Sequence, residues 1–159
     1  MKPVNFFRIL AVVAALSAYS AWSMSARDAQ PFVPAGSTTV EFPAGVRLIR
    51  LDDAEKLWRE RDSGTVFVDV RSPFDYEFGH IEDALSLPES EFEAKFPAFK
   101  DHLQRARTIV VYCKSPDCGL SLWTAIRLHN EGLTQTVIFP EGWNAWFNRG
   151  LPITRERSQ

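Results

Sequence analysis

The chemistry available to this chain is set by two cysteines, Cys113 and Cys118. Cys113 ends the apolar run Thr108-Ile109-Val110-Val111-Tyr112 and opens a short polar loop, Lys114-Ser115-Pro116-Asp117-Cys118-Gly119. Ser121 then leads into the helical pattern Leu122 to Glu131. A buried strand followed at once by a turn and a helix brings unpaired backbone N–H groups towards the strand's last side chain. Those amides and the positive end of the helix dipole favour an anion, so the sulfur is expected to react as a thiolate. A cysteine at a strand end also serves as a small apolar filler, and it is the loop that tips the reading towards chemistry. Four residues separate the two cysteines, a spacing that closes a disulfide only if the loop curls back on itself. There is no second cysteine pair, and His80, His102 and His129 show no ligand spacing. No metal or cofactor is expected.

The other polar residues carry two readings each. Lys114 either steers an anionic substrate or is a solvated lysine, since a flexible point charge need not face inward. Asp117 opposes an anion site and is expected to face solvent. Ser121 is read as a helix cap that also reaches the loop. Asp69 and Arg71 end another apolar run and are read as a supporting pair, because a buried carboxylate needs partners. His80 is expected to fix the Gly79-His80-Ile81 turn through a ring hydrogen bond. Trp143, Trp146, Phe139 and Phe147 are read as core and pocket wall.

These side chains need a scaffold, and the hydrophobic pattern describes one. Val46 to Ile49 is a short strand, and Asp52 with Glu55 reads as the capping box of a helix to about Arg61, ended by Ser63-Gly64. Thr65 to Val70 is apolar on both faces, as a central parallel strand is. Ser72 caps and Pro73 starts a short helix that Gly79 ends. Ala84 to Leu87 is a further strand, followed by helix-prone sequence from Glu89 to Arg105. Gly132 closes the helix after the cysteine loop, Thr136 to Phe139 is the next strand, and Trp143 to Asn148 a last short helix. Strands alternating with helices imply an α/β fold whose sheet is covered on both faces.

Composition narrows the setting. Of 159 residues, 45% are hydrophobic and 24% charged, as in an ordinary globular domain. Setting aside Lys2 and Arg8 leaves 16 basic side chains against 20 acidic ones, and no basic run interleaved with aromatics points to nucleic acid. Residues 1–25 read as a signal peptide or membrane anchor: Lys2 and Arg8 precede an uncharged stretch, Ile9 to Trp22, too short for a comfortable membrane span. Ala18-Tyr19-Ser20 and Ser23-Met24-Ser25 are candidate cleavage sites. Either reading exports the domain, to the periplasm, soluble or held by that segment, and membrane contact is expected only if it is uncleaved. An oxidising compartment also permits a disulfide. Residues 26–45, with Pro31, Pro34, Gly36 and Pro43, read as a linker, 46–154 as the folded domain and 155–159 as a tail.

Several motifs in sequence now resemble one family. Val68-Asp69-Val70-Arg71, then Asp75 to Ile81, Ala84 and Leu87-Pro88, look like the first half of a rhodanese domain. Val110-Val111-Tyr112-Cys113 with its loop, and Glu141-Gly142-Trp143-Asn144-Ala145-Trp146 through Gly150-Leu151-Pro152-Ile153, look like the second half. The resemblance covers about Val46 to Ile153. It implies a three-layer fold around a central, mainly parallel five-stranded sheet, and a sulfurtransferase in which Cys113 carries sulfane sulfur as a persulfide. The substrates so implied are a small sulfur donor such as thiosulfate and a thiol or cyanide acceptor, with a redox or sulfur-relay protein as a further partner. The substrate would be held by Lys114, Ser115, Pro116, Asp117, Cys118 and Gly119, with Asp69, Arg71 and Ser121 in support.

The chain departs from the family pattern in its loop. The segment from Cys113 to Gly132 is about two residues longer than in the usual short-loop type. Rhodanese-fold phosphatases also have a longer loop, but they need an arginine six positions after the cysteine, where this chain has Gly119. Two alternatives to sulfur transfer stay open: a thiol–disulfide redox protein or sensor using Cys113 and Cys118, and a non-catalytic binding module. The expected resting state has the Cys113 sulfur free at the base of an open pocket, with any Cys113–Cys118 bond a reversible oxidised form.

Overall fold

The structure is a computed structural model and describes residues 45–60 and 64–156. The expected leader, nearly all of the expected linker, Ser63 and residues 157–159 lie outside the described residues. Among the described residues, seven strands and five helices follow in the order β1 (Arg47–Leu48), α1 (Leu51–Arg59), β2 (Thr65–Asp69), α2 (Pro73–Phe78), β3 (His80–Ile81), β4 (Leu85–Ser86), α3 (Phe92–Arg105), β5 (Thr108–Tyr112), α4 (Leu120–Asn130), β6 (Thr136–Phe139), α5 (Gly142–Asn148) and β7 (Ile153–Thr154). A 3-10 turn, Glu89–Glu91, leads into α3.

Five of the strands form one parallel sheet in the order β1-β6-β5-β2-β4. Strands β2 and β5 pair from Thr65 opposite Thr108 to Asp69 opposite Tyr112. Strand side chains alternate between faces, so each central strand feeds two cores. Val68, Ile109, Val111 and Ile138 pack on one face with Phe92, Phe96 and Leu103 of α3 and Ala125 and Leu128 of α4. Phe67, Val110, Tyr112, Val137 and Phe139 pack on the other with Ala54 and Leu57 of α1 and Trp146 of α5. That is the three-layer arrangement the resemblance implied. A separate antiparallel pair, β3 with β7, ties His80 to Thr154. No helix among the described residues is long and apolar enough to cross a membrane.

Local signals account for most boundaries. Ser72 accepts a hydrogen bond from the Asp75 N–H at 3.1 Å, Pro73 is the first helical residue, and Gly79 ends the turn. At the end of α4, Gly132 has φ +87°. Its N–H donates to the His129 carbonyl at 2.9 Å, and the Leu133 N–H to the Leu128 carbonyl at 3.0 Å. These two bonds form a Schellman motif that only a left-handed residue completes cheaply. The start of α1 differs from expectation. Arg50 is the cap residue, its N–H donating to Asp53 Oδ2 at 3.4 Å, while Asp52 pairs with Arg149, which follows α5, and Glu55 pairs with Arg59 one turn on at 2.6 Å and reaches Arg149 at 3.4 Å. Ion pairs, one local and one tertiary, hold the residues that the local pattern assigned to a cap.

Trp146 sits at the centre of the second core, fully buried, with ring centroids 6.0 Å from Trp58, 5.8 Å from Phe67 and 6.4 Å from Phe139. Its Nε1–H donates to the Pro152 carbonyl at 2.9 Å. Trp146→Ala is therefore expected to lower stability by roughly 3–5 kcal/mol, read as a fall in the urea midpoint at unchanged slope.

Candidate active site

The parallel register brings Asp69, at the end of β2, beside Tyr112, at the end of β5. Asp69 is fully buried and Arg71 is 5% exposed. Carrying a carboxylate out of water is costly unless donors replace the lost hydration, and here they converge. Arg71 donates from its backbone N–H to Oδ1 (3.0 Å), from Nε to Oδ1 (3.0 Å) and Oδ2 (3.1 Å), and from Nη2 to Oδ2 (2.5 Å). Tyr112 donates its hydroxyl to Oδ2 at 2.7 Å and accepts the Ile81 N–H at 3.1 Å. Burial pushes the Tyr112 hydroxyl well above its ordinary pKa, and the Asp69 charge adds to this. Burial alone would lower Arg71, but its bonds and charge pairing with Asp69 outweigh that and hold it above the ordinary value. The Asp69–Arg71 pairing anticipated in the sequence is thus present.

Arg71 also reaches outward. Nη2 donates to the Gly79 carbonyl at 2.7 Å, and the guanidinium lies 4.6 Å from the centroid of the Trp143 ring. A Cβ on Gly79 would come within 2.9 Å of Trp143 Cη2, so the end of α2 and the start of α5 meet there without room for a side chain. His80 stacks on Tyr76 with centroids 3.7 Å apart, and its Nδ1 lies 2.8 Å from the Tyr76 carbonyl, the ring bond expected of it. Its backbone forms β3 rather than a turn.

Cys113 follows Tyr112 at the carboxyl edge of the middle strand and is 3% exposed. Two amides from the start of α5 grip the loop behind it. Trp143 N–H donates to the Cys113 carbonyl at 2.9 Å and Asn144 N–H to the Lys114 carbonyl at 3.0 Å. Gly142 makes this possible: its φ is +59°, and a Cβ there would overlap the Cys113 carbonyl oxygen. The loop then turns, with Cys118 N–H donating to the Ser115 carbonyl at 3.0 Å, and α4 begins at Leu120. Of the amides expected round the Cys113 sulfur, that of Cys118 is engaged in this turn, and Pro116 has none.

Lys114, Pro116, Asp117 and Gly119 are exposed, Ser115 and Cys118 half-buried. Asp117 faces out as expected. Ser121 does not cap α4: it is the second residue of the helix, 4% exposed, and the cap position is Gly119, which has no side chain to offer. The helix starts earlier than Leu122 because the loop's own turn already sets helical backbone. Trp146 and Phe139 are core, whereas Phe147 is 46% exposed and stacks on Trp143 with centroids 5.4 Å apart. Trp123, 63% exposed, stands beside the Gly119 end of the loop.

The two sulfurs are joined. Cys113 and Cys118 form a disulfide with a Cα–Cα separation of 6.2 Å, inside the range such a bond accepts. The expected open thiol is therefore replaced by the oxidised form, because the Ser115–Cys118 turn swings Cys118 back over Cys113 while the α5 amides hold Cys113 in place. A cavity of about 470 Å³ lies at the opposite, amino end of β2, lined in part by Trp58, Thr65, Phe67 and His102. It offers no cysteine or serine and stands apart from this chemistry.

Comparison with known proteins fixes the family. Residues 53–149 match the model of the rhodanese-like domain, and the chain belongs to that family. Among solved structures, a protein from Bacillus halodurans superposes with a TM-score of 0.61 at 21% identity, covering 69% of this chain and 77% of that one. A rhodanese-related protein from Thermoplasma volcanium gives 0.54 at 26% identity, covering 67% and 96%. A Rhodopseudomonas palustris protein described as a possible tyrosine phosphatase gives 0.58 at 25%, covering 69% and 85%. Among curated proteins, the tRNA uridine(34) hydroxylases of Pectobacterium carotovorum and Yersinia enterocolitica are 44% and 41% identical over 54 residues, which is 33% of this chain. The matched part spans only 15% of the length of those relatives.

The sequence reading missed Tyr112 as a partner of Asp69 and Gly142 as the clamp on the loop. A phenol at the end of a fully buried strand and a Gly-Trp pair after Phe139-Pro140 were the available signals. Tyr112→Phe leaves the Ile81 N–H without an acceptor and removes one donor from Asp69. It is expected to cost about 1–3 kcal/mol, measured by denaturant unfolding. In the native wild type, Tyr76, pushed up to about 12 chiefly by burial, and Tyr112 should not ionise at pH 10–11. Because both folded pKa values are raised, this contribution to stability is complete below pH 10 and is lost as pH climbs towards the folded values. Phenolate absorbance against pH, with and without denaturant, checks it.

Proposed function

We propose that this protein is a sulfurtransferase in which reduced Cys113 takes sulfane sulfur from an anionic donor such as thiosulfate and passes it to a thiol. One observation carries the reading: the Cys113 sulfur sits at the carboxyl edge of the central strand, within the loop that feeds the N-terminus of α4. Open parallel sheets collect their ligands at that edge. The Cys113 thiolate attacks the outer sulfur of thiosulfate. A new S–S bond forms at Sγ, the bond to the sulfonate sulfur breaks, and sulfite leaves with the electron pair. An acceptor thiolate then attacks the outer sulfur and Cys113 departs as thiolate. Both steps handle anions, for which the loop amides and the helix end supply fixed positive potential. Lys114, exposed at the loop, meets the incoming donor.

A phosphatase reading, which the Rhodopseudomonas neighbour's description raises, lacks support: position 119 is glycine, and no arginine lies between Lys114 and Ser121 to hold phosphate. The names of the tRNA-modifying relatives refer to proteins of which this chain matches only 15%. The redox-pair reading is favoured by the disulfide. The export pattern at Ile9 to Trp22 supports placing the chemistry outside the cytoplasm, where that bond persists.

After reduction and removal of reductant, incubation with thiosulfate should release sulfite stoichiometric with protein. Cys113→Ser should release none while unfolding at a similar denaturant concentration. Sulfite release that survives in Cys113→Ser would defeat the proposal. Lys114→Ala is expected to raise KM for thiosulfate about threefold to tenfold and to leave kcat nearly unchanged, as loss of one exposed charge contact does; an unchanged KM would remove Lys114 from the site.

A further inference from the structure

We infer that Cys118 is a resolving cysteine: it discharges the Cys113 persulfide within the chain, releasing hydrosulfide and leaving the disulfide seen in the structure. The inference rests on the persulfide reading above and names the fate of the sulfur at that same site. Its geometry comes from the bonded state. The loop that joins the sulfurs is otherwise fully organised, with Cys113 and Lys114 carbonyls held by α5, Cys118 N–H in its turn and α4 starting two residues later. The native backbone therefore accepts Cys118 at bonding distance from Cys113 without losing any of these contacts. Cys113 is 3% exposed while Cys118 is half-buried. An external thiol has to reach a sulfur covered by the loop, whereas Cys118 is already part of that cover. A tethered nucleophile in attack geometry reacts far faster than the same group free in solution. Cys118 also lies just before the N-terminus of the eleven-residue helix α4, which favours its thiolate.

The step balances without an outside oxidant. The Cys118 thiolate attacks Sγ of Cys113, the inner sulfur of the persulfide. The Cys113–Cys118 S–S bond forms as the bond to the outer sulfur breaks, and the outer sulfur leaves with the electron pair and its proton as hydrosulfide. The sulfane sulfur is reduced by two electrons, and the two cysteine thiols supply them by becoming a disulfide. Attack on the outer sulfur instead moves the sulfane atom to Cys118, from which Cys113 can complete the same bond. A further turnover then needs a dithiol reductant, which reopens the bond by thiol–disulfide exchange at its more exposed sulfur, Cys118. The chain would thus couple sulfane reduction to dithiol oxidation, with hydrosulfide as its product.

The test uses the full chain, reduced, freed of reductant and kept anaerobic. Excess thiosulfate is added with no acceptor, and sulfite, hydrosulfide and intact mass are followed together. Wild type is expected to release about one equivalent each of sulfite and hydrosulfide and to end two hydrogens lighter, in the disulfide form. Cys118→Ser should release sulfite, gain one sulfur atom and hold it, with a persulfide lifetime at least about tenfold longer than wild type. Cys118→Ala repeats the measurement with a side chain that cannot hydrogen-bond. A wild-type persulfide that persists without hydrosulfide overturns the resolving role and leaves sulfur transfer standing. Absence of both sulfite and mass gain in folded Cys118→Ser and Cys118→Ala, and in wild type, overturns the persulfide reading itself.

Discussion

Asp69 carries a negative charge into a part of the molecule from which water is excluded, and the arrangement around it follows from that constraint. An ionised carboxylate survives there only with a cation and several donors in fixed positions. The chain supplies them from separate places: Arg71 two residues on, Tyr112 from the adjacent strand, and Ile81 through the Tyr112 hydroxyl. The register of β2 against β5 is therefore fixed by hydrogen bonds as well as by apolar packing, and a slip of one residue would turn Tyr112 to the other face. Arg71 extends the arrangement to the Gly79 carbonyl and the Trp143 face, so that one carboxylate orders the edge of the sheet on which Cys113 stands.

The cysteine loop is held in turn from two sides. On one, α5 presents its first amides to the carbonyls of Cys113 and Lys114; on the other, α4 begins as soon as the loop has turned. The residues between face solvent or bear on the sulfurs. This separation of duties leaves the two sulfurs to meet above a backbone that is held independently of them. The groups that hold Cys113 are backbone groups of α5 that make no bond to its sulfur.

Much of this was legible in the sequence. Strands β5 and β6 have the bounds their β-branched runs indicated, as expected of central strands buried on both faces. Ser72-Pro73 and Gly132 mark helix ends by mechanisms that act within a few residues. Two of the misreadings come from partners far along the chain and one from a local turn. Asp52 looked like a cap and is paired with Arg149, across 97 positions. Tyr112 looked like one more apolar strand residue, although its hydroxyl meets a carboxylate 43 positions earlier. Ser121 fits the composition of a cap and is instead drawn inside the helix by a turn whose geometry no single residue announces. The spacing of Cys113 and Cys118 allowed the bond without deciding it, because closure depends on a clamp supplied by Gly142, well downstream.

The loop has fixed ends and an unanchored middle. Ser115, Pro116 and Asp117 lie between the α5 clamp and the cysteine that leads into α4, and the backbone hydrogen bond made there, from the Cys118 N–H to the Ser115 carbonyl, stays within the loop. Sequence drift there can reshape the mouth of the site while the sheet, the carboxylate knot and the helix register remain as they are. A substitution at one of these three positions therefore alters the surface around the sulfurs and leaves the hold of α5 on the Cys113 and Lys114 carbonyls in place.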